Sequence, residues 1–392
     1  MKSFKNFDFK NKRVLVRCDF NVSFSDKGEI IDDFRIKQTL PTLKHLIEQE
    51  AKIILISHLG RPQKSKENKK ETFSLRPISS RLEHLLNRKV KFIDDCIGKK
   101  VERGISEMKE GEIILLENLR FYKEEEEGDE EFAKKLASLA EVYVNDAFAA
   151  CHRAHASIAP ITKFLPGLPG LLLEKEINIL SRVLDKPWRP LVAIIGGIKI
   201  ETKIKLINQF LEKADHVLLG SKLVEIILGF KGILLNRFSD KERKEIEEVE
   251  KVDLTHPKLH LPVDGQMALS TLGEEYFRIG AIGTLKREEE VYDIGPETTK
   301  VFVNIIKSAK MIVWNGPLGM YEKEPFDKGS RQITDAILRN HAAYKIVGGG
   351  DTVAYLTRLN LLDNFDHVST GGGAMLEFLS GDKLPGIEAL KD

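Results

Sequence analysis

Residues 51–62 read AKIILISHLGRP, apolar from Ile53 to Ile56 and then ending on His58 and Arg61 around Gly60. A run that is apolar at every position suits a strand covered on both faces, as in a parallel sheet flanked by helices. In such sheets ligands sit beyond the carboxyl ends of the strands, so polar side chains just past the run mark a binding edge. Taken alone, the segment is equally an ordinary strand-to-loop exit. Whether other strands end in the same way decides between the two.

They do, and in two styles. RVLVRCDF, AKIILISH, EIILLENLRF and EVYVNDAF in the first half exit on Arg17, Asp19, Asn21, His58, Arg61, Asn118, Arg120, Asn145 and Asp146. PLVAIIGG, HVLLG, KMIVWNGP, YKIVGGGD and HVSTGGG follow in the second half, where the exits carry glycine: Gly196 and Gly197, Gly316, Gly348 to Gly350, and Gly371 to Gly373. Stretches of helical spacing separate the runs, so the chain reads as α/β, with two doubly wound, Rossmann-like parallel-sheet domains. Leu173, Ile177, Leu180 and Leu184 fall on one helical stripe, and Pro187 and Pro190 stop it. That predicts a connecting helix over 173–188, with one domain at 1–172 and another at 189–380.

Composition narrows the function. The 392 residues exceed one ordinary core, and 42% hydrophobic with 31% charged residues suits a globular protein. Lys and Arg total 61 against 60 Asp and Glu, a formal charge of +1, so no global field holds nucleic acid or an anionic membrane. Anion recognition must be local. Cys18, Cys96 and Cys151 lack metal-like spacing and suggest no disulfide framework, which points to a reducing cytoplasm. The first residues, MKSFKNFDFKNKR, lack the apolar core of a signal peptide, and no apolar stretch nears the ~20 residues of a membrane span.

The polar edge carries Arg17, Arg35, Arg61, Arg120 and Arg153. A guanidinium is a planar fork of donors that matches carboxylate and phosphate oxygens, so a converging set implies a small, highly anionic ligand. His152 and His155 follow a strand exit, but carboxylate partners at metal-ligand spacing are missing and the arginines would repel a cation. Asp19 and Asn21 could read a ligand hydroxyl, or cap the next turn. The charged runs QKSKENKKET and KEEEEGDEE read as solvated loops or helix starts without chemistry.

The glycine edge offers backbone amides at helix starts, which can cradle phosphate, or else simply makes tight strand-to-helix turns. No GxxxxGK[ST] and no complete GxGxxG is present, which disfavours a phosphate-loop ATPase and a nicotinamide dehydrogenase. Asp351 is a hard carboxylate placed to hold Mg2+ on a nucleotide's phosphates, with Thr352 beside it. Lys199 and Lys203 supply mobile cations for phosphates.

In order, VRCDFNV, DDFRI, SHLGRP, LLENLRFYKEEE, VNDAF, HRAHAS, GGIK, VWNGPLGMYE, VGGGDT and HVSTGGGA closely resemble the phosphoglycerate kinase family over nearly the whole chain. The resemblance implies that family's fold, two domains facing across a cleft, with the tail 381–392 returning to the first. It implies reversible glycolytic transfer of a phosphoryl group from 1,3-bisphosphoglycerate to MgADP, giving 3-phosphoglycerate and MgATP, by a monomer whose domains close about a hinge. Carried over residue by residue, it implies acid binding by Asp19, Asn21, Arg35, His58, Arg61, Arg120 and Arg153. It implies nucleotide binding by Gly197, Lys199, Lys203, Asn315, Pro317, Glu322, Gly349, Gly350, Asp351 and Thr352, with Asp351 toward the metal. Arg35, Lys199, Gly372 and Gly373 would steady the transferring group.

The chain departs from the family at Ile198, where alanine is usual, and at Gly220-Ser221-Lys222, where a glycine triplet is usual. Bulk there would reshape the base pocket. Residues 229–283 match the family poorly beyond LPVD, and Ala149-Ala150-Cys151 stands where Gly-Thr-Ala is common. A non-catalytic homologue that binds phosphoglycerate is the alternative reading, against which stand Lys199, Lys203 and Asp351.

Overall fold

The computed structural model describes residues 3–25, 27–64, 70–198, 200–220, 252–269 and 276–391, with positions 223, 225, 227 and 229. Lys199, Ser221 and Lys222 therefore lie outside the described residues, as does most of the divergent 229–283 stretch before residue 252. The chain divides into two compact units, Met1–Asn178 with Lys383–Asp392, and Ile179–Asp382.

In the first unit the apolar runs form β1 (Arg13–Arg17), β2 (Lys52–Ile56), β4 (Ile113–Leu116) and β5 (Val142–Asn145). Two shorter strands, β3 (Val90–Ile93) and β6 (Gly167–Pro169), complete a sheet of order β3-β4-β2-β1-β5-β6. Every neighbouring pair is parallel. The chain leaves β1 toward one edge through β2 and returns on the other side at β5. The carboxyl ends of β1 and β5 therefore flank the topological switch point, where open α/β sheets take their ligands. Register sets Arg17 opposite both Ile56 and Asn145, which aligns the polar exits along that edge.

Helix α1 (Phe34–Glu48) shows why the edge faces a packed layer. Its Ile36, Thr39, Leu43 and Leu46 recur at helical spacing and are buried against Val14, Val16, Ile53 and Leu55. Its first turn starts where the Asp32 side chain accepts the Phe34 amide, and so delivers Arg35 to the same end of the sheet. Four further helices complete the unit's first pass: α2 (Arg76–Leu86), α3 (Lys99–Ser106), α4 (Lys123–Glu127) and α5 (Glu130–Ala137). Helix α6 (Leu171–Asp185) then runs through the point at which the units divide.

The second unit repeats the design. β7 (Leu191–Ile195), β8 (His216–Leu219) and β9 (Leu259–His260) lie to one side, and β13 (Met311–Asn315), β14 (Tyr344–Gly348) and β15 (His367–Val368) to the other, in the order β15-β14-β13-β7-β8-β9. All pairs are again parallel. The switch point falls between β7 and β13. Helices α7 (Glu201–Lys213), α8 (Pro296–Ser308), α9 (Lys328–Arg339), α10 (Gly350–Arg358) and α11 (Gly372–Leu379) belong to it, while α12 (Pro385–Glu388) belongs to the first unit. A separate antiparallel sheet, β10 (Asp264–Leu269), β11 (Phe277–Ala281) and β12 (Glu289–Ile294) in the order β11-β10-β12, was not expected from the sequence.

Candidate active site

In the first unit the strand exits are tied to each other through short side-chain and backbone bridges. Asn21 Oδ1 accepts the Gly60 amide at 2.8 Å, and Arg120 Nη1 donates to the Gly60 carbonyl at 2.7 Å. One glycine thereby joins the loops after β1, β2 and β4, and its φ of +59° is a conformation side chains rarely adopt. Arg35 donates to the buried Asp19, whose other oxygen accepts the Asn21 amide at 3.2 Å. Asn118, also an exit residue, is buried as a clamp, accepting from Leu59 and Arg120 amides and donating to the Leu59 and Phe73 carbonyls.

Beneath them lies Arg17, fully buried at the end of β1. Its Nε donates to Ser157 Oγ at 2.9 Å, and its Nη2 is 3.2 Å from His58 Nδ1 and 3.8 Å from Glu125 Oε1. Glu125 in turn accepts the Ser157 hydroxyl at 2.6 Å and amide at 3.0 Å. The acidic run KEEEEGDEE thus corrects its sequence reading: it forms α4 and the start of α5, but Glu125 is fully buried under the pocket and Glu126 stands 3.3 Å from Arg120 Nε.

The pocket is electrostatically unfinished. Burial, then Arg17, Arg120 and Arg35, push the His58 pKa well below the ordinary histidine range. Burial, then Arg17, Arg120 and Arg153, push His155 down to about 3. His152 is lowered by burial and by Arg153, which donates to its Nε2 at 3.0 Å. All three imidazoles are neutral near pH 7 because burial disfavours their charged form and the guanidinium charge already present repels another proton. His152 Nδ1 is buried without a hydrogen-bond partner, and Arg120 Nε is buried with only its ion pair to Glu126. Crowded cations and unused donors favour a multiply charged anion. Asp19, Asn21, Arg35, His58, Arg120 and Arg153 all belong to this cluster. Arg61 stands exposed one residue beyond Gly60, and no bond ties its guanidinium to the cluster among the described residues.

In the second unit the cradle is made by close approach of backbones. The Gly196 amide donates to the Asn315 carbonyl and the Gly197 amide to the Pro317 carbonyl, both at 3.0 Å. A Cβ on Gly196 would stand 2.1 Å from the Pro317 oxygen, so the two loops meet only because no side chain is there. A Cβ on Gly372 would lie 3.4 Å from Gly349 Cα and from the Gly350 nitrogen, which brings the amino ends of α10 and α11 together. Two helix starts side by side present N–H groups and positive dipole ends to one region.

Around that cradle stand the remaining groups. Lys203, buried, donates to Asn315 Oδ1, while Asn315 Nδ2 is buried with no partner. Thr352 is fully buried and accepts the Gly316 amide at 2.7 Å, which leaves its hydroxyl proton to donate. Asp351 is exposed on the first turn of α10, and both it and the exposed Glu322 help raise the Tyr321 pKa after burial. Gly373 is exposed and Gly372 half-buried at the start of α11. Ile198 is 71% exposed, so it plugs no cavity of its own unit. Gly220 is packed on Leu318, whose Cδ2 would be 2.6 Å from an added Cβ. No cluster of three or more His, Cys, Asp or Glu side chains suited to a metal occurs among the described residues, and no described helix is long and apolar enough to cross a membrane.

A chain that gathers guanidiniums for a small polyanion, and separately opens two helices on glycine for phosphates, falls in the class of kinases acting on phosphorylated small molecules. The family profile of phosphoglycerate kinase matches residues 4–382. Phosphoglycerate kinases of Dictyoglomus turgidum and Coprothermobacter proteolyticus are 45% and 42% identical, covering 98% and 100% of this chain and 97% and 98% of theirs. The solved phosphoglycerate kinase of Coxiella burnetii superposes with a TM-score of 0.84 at 39% identity, over 99% of this chain and 98% of that one. That of Pyrococcus horikoshii gives 0.85 at 32%, over 100% and 98%. The chain belongs to the phosphoglycerate kinase family. It is an enzyme of the phosphotransferase kind, and the non-catalytic alternative is not favoured.

Proposed function

We propose that the first unit holds 3-phosphoglycerate or 1,3-bisphosphoglycerate through Asp19, Asn21, Arg35, His58, Arg61, Arg120 and Arg153. The second takes ADP or ATP through Gly197, Lys199, Lys203, Asn315, Pro317, Glu322, Gly349, Gly350, Asp351 and Thr352. The observation that carries this reading is the convergence of Arg17, Arg35, Arg120 and Arg153 on one pocket, where their charge adds to burial in lowering the pKa of His58, His152 and His155. The two switch points then divide the labour: one reads an acid, the other a chain of phosphates.

The donor set suits Mg2+. Asp351 is an exposed carboxylate beside the helix starts, and magnesium is commonly held by one or two carboxylates together with substrate phosphates and water. Bound there, it would neutralise charge on the nucleotide's terminal phosphates.

Transfer breaks the bond between the acyl oxygen and phosphorus and makes one between phosphorus and a terminal oxygen of ADP. Attacking and leaving oxygens are both anionic, so no proton has to move and no covalent enzyme intermediate is needed. Positioning and neutralisation of the moving group suffice. Arg35 and Lys199, with the amides of Gly372 and Gly373, take that role. An acyl phosphate hydrolyses readily, so pocket and cradle must close on one another and exclude water before transfer. A cytoplasmic monomer whose partners are only these substrates completes the reading.

A coupled assay with 3-phosphoglycerate, Mg2+ and either ATP or GTP tests it. Turnover with ATP that vanishes on chelation is expected. Unchanged acid affinity in Arg120→Ala would overturn the assignment of the acid to the first unit.

A further inference from the structure

Asp146 follows the last residue of β5 and is fully buried at the switch point of the first sheet. Its amide donates to the Arg17 carbonyl at 2.9 Å, which ties it to the strand end bearing the deepest cation of the acid pocket. Its Oδ1 accepts the amides of Leu172 at 3.0 Å and Leu173 at 3.4 Å, two of the otherwise unpaired donors that open α6. The Thr42 hydroxyl of α1 neighbours the same carboxyl and accepts the Leu171 amide at 2.9 Å. Arg35 lies on the first turn of that α1 helix. One side chain therefore joins β1, β5, α1 and α6.

The junction is built rather than incidental. Gly170 precedes α6 and leaves no room for a side chain, since an added Cβ would stand 2.2 Å from Asp146 Oδ1. Asp146 Oδ2 is buried with no hydrogen-bond partner, an arrangement that costs stability and that simple packing does not require. Burial brings its pKa up to about 7, against the helix amides and the Thr42 hydroxyl that favour the anion. Helix α6 carries the chain from the first unit, ending at Asn178, into the second, beginning at Ile179.

We propose that Asp146 is a positioning residue that relays occupation of the acid pocket to the first turn of α6, and so sets the helix on which closing of the two units depends. It touches no reacting atom. An anion held by Arg35 in the field of the buried Arg17 beneath it pulls on α1 and β1, and Asp146 is where both meet the amino end of α6. The inference rests on the assignment of the acid to the first unit.

The test compares Asp146→Ala and Asp146→Asn with wild type in the intact chain. Calorimetry gives the affinities for 3-phosphoglycerate and for MgADP separately, and steady-state kinetics gives kcat. Small-angle scattering follows the change in radius of gyration on adding 3-phosphoglycerate with MgADP, a pair that cannot react. Asp146→Ala is expected to keep each affinity within about threefold while kcat falls tenfold or more and the scattering change shrinks. Asp146→Asn retains an acceptor for the α6 amides and should recover most of both. Wild-type kcat and scattering change in Asp146→Ala, whatever its melting temperature, would overturn the proposal. So would a loss of kcat matched by an equal loss of 3-phosphoglycerate affinity, which would mean damage to the pocket. If the alanine variant fails to fold, Gly170→Ala crowds the same carboxyl and is read in the same way. Wild type that binds no 3-phosphoglycerate would remove the acid assignment and the relay with it.

Discussion

The ammonium of Lys203 is buried against Asn315, donating to its side-chain oxygen and lying 3.4 Å from its backbone carbonyl. Neither acceptor carries a charge, and burial lowers the Lys203 pKa to about 8, with Asp351 opposing the shift. A nucleotide phosphate would restore what burial took away.

Nucleotide affinity should therefore fall as pH rises through about 8, because the free protein then loses the proton that the complex retains. Between about 8 and the ordinary lysine value of 10.5, binding takes up a proton. Calorimetry of MgADP binding at pH 7 and pH 9, in buffers of different ionisation enthalpy, measures this directly. Lys203→Ala should abolish the uptake and weaken binding. For the unliganded protein the pH dependence runs the other way: over this window the unfolded chain holds a proton that the folded one does not, so stability rises with pH.

Arg35 answers a different question, since its side chain is 31% exposed while its partner Asp19 is 4% exposed. Arg35→Ala should leave MgADP affinity intact and lower kcat by about 10²–10³-fold, the scale of losing a preorganised donor to the moving charge. Arg35→Lys should recover little, because an ammonium lacks the planar fork. Turnover unchanged in the alanine variant would remove Arg35 from the transfer step.

Much of this was legible as residues and little of it as depth. Runs such as IILL and VAII are apolar throughout because both faces are covered, and they announced the two parallel sheets. The short outer strands VKFI, GLP and LH give too few residues for a period, and went unread. The antiparallel sheet was hidden because β11 buries no residue fully: FRIGA alternates, but Phe277 and Ile279 stand on its exposed face and Arg278 and Gly280 on the half-buried one, the reverse of the usual pattern. Arg17 was visible as an exit arginine, but only the fold shows it as the floor of the pocket. Glu125 sat in a run of like residues, and which glutamate points inward is set by α4, not by composition.

Gly196 makes a prediction about close approach. Gly196→Ala would press a methyl group to within 2.1 Å of the Pro317 oxygen and 2.7 Å of the Gly316 oxygen. Backbone atoms cannot swing aside as a side-chain end can, so the loops after β7 and β13 must part. The variant should lose about 1–3 kcal/mol of stability and most of its nucleotide affinity. Thermal unfolding and MgADP titration check the two effects, and 3-phosphoglycerate affinity should not move. A variant that melts as wild type does would show that the two loops do not need the contact.

The histidines of the acid pocket predict how substrate protects the enzyme from acid. His155 is held near 3 by burial and by Arg17, Arg120 and Arg153, and His58 is lowered for the same reasons. Below the ordinary histidine value of 6.5 the unfolded chain takes up protons that the folded pocket refuses, so stability falls as pH drops through 6.5 toward 3. An anion seated among the arginines cancels part of their repulsion and lets the imidazoles charge. Binding of 3-phosphoglycerate should thus take up protons below about pH 6.5 and flatten the fall in melting temperature between about pH 7 and about pH 5. His155→Gln should flatten the curve of the free protein and shrink the protection. Equal ligand protection at both pH values would mean that the arginines and histidines do not share one anion.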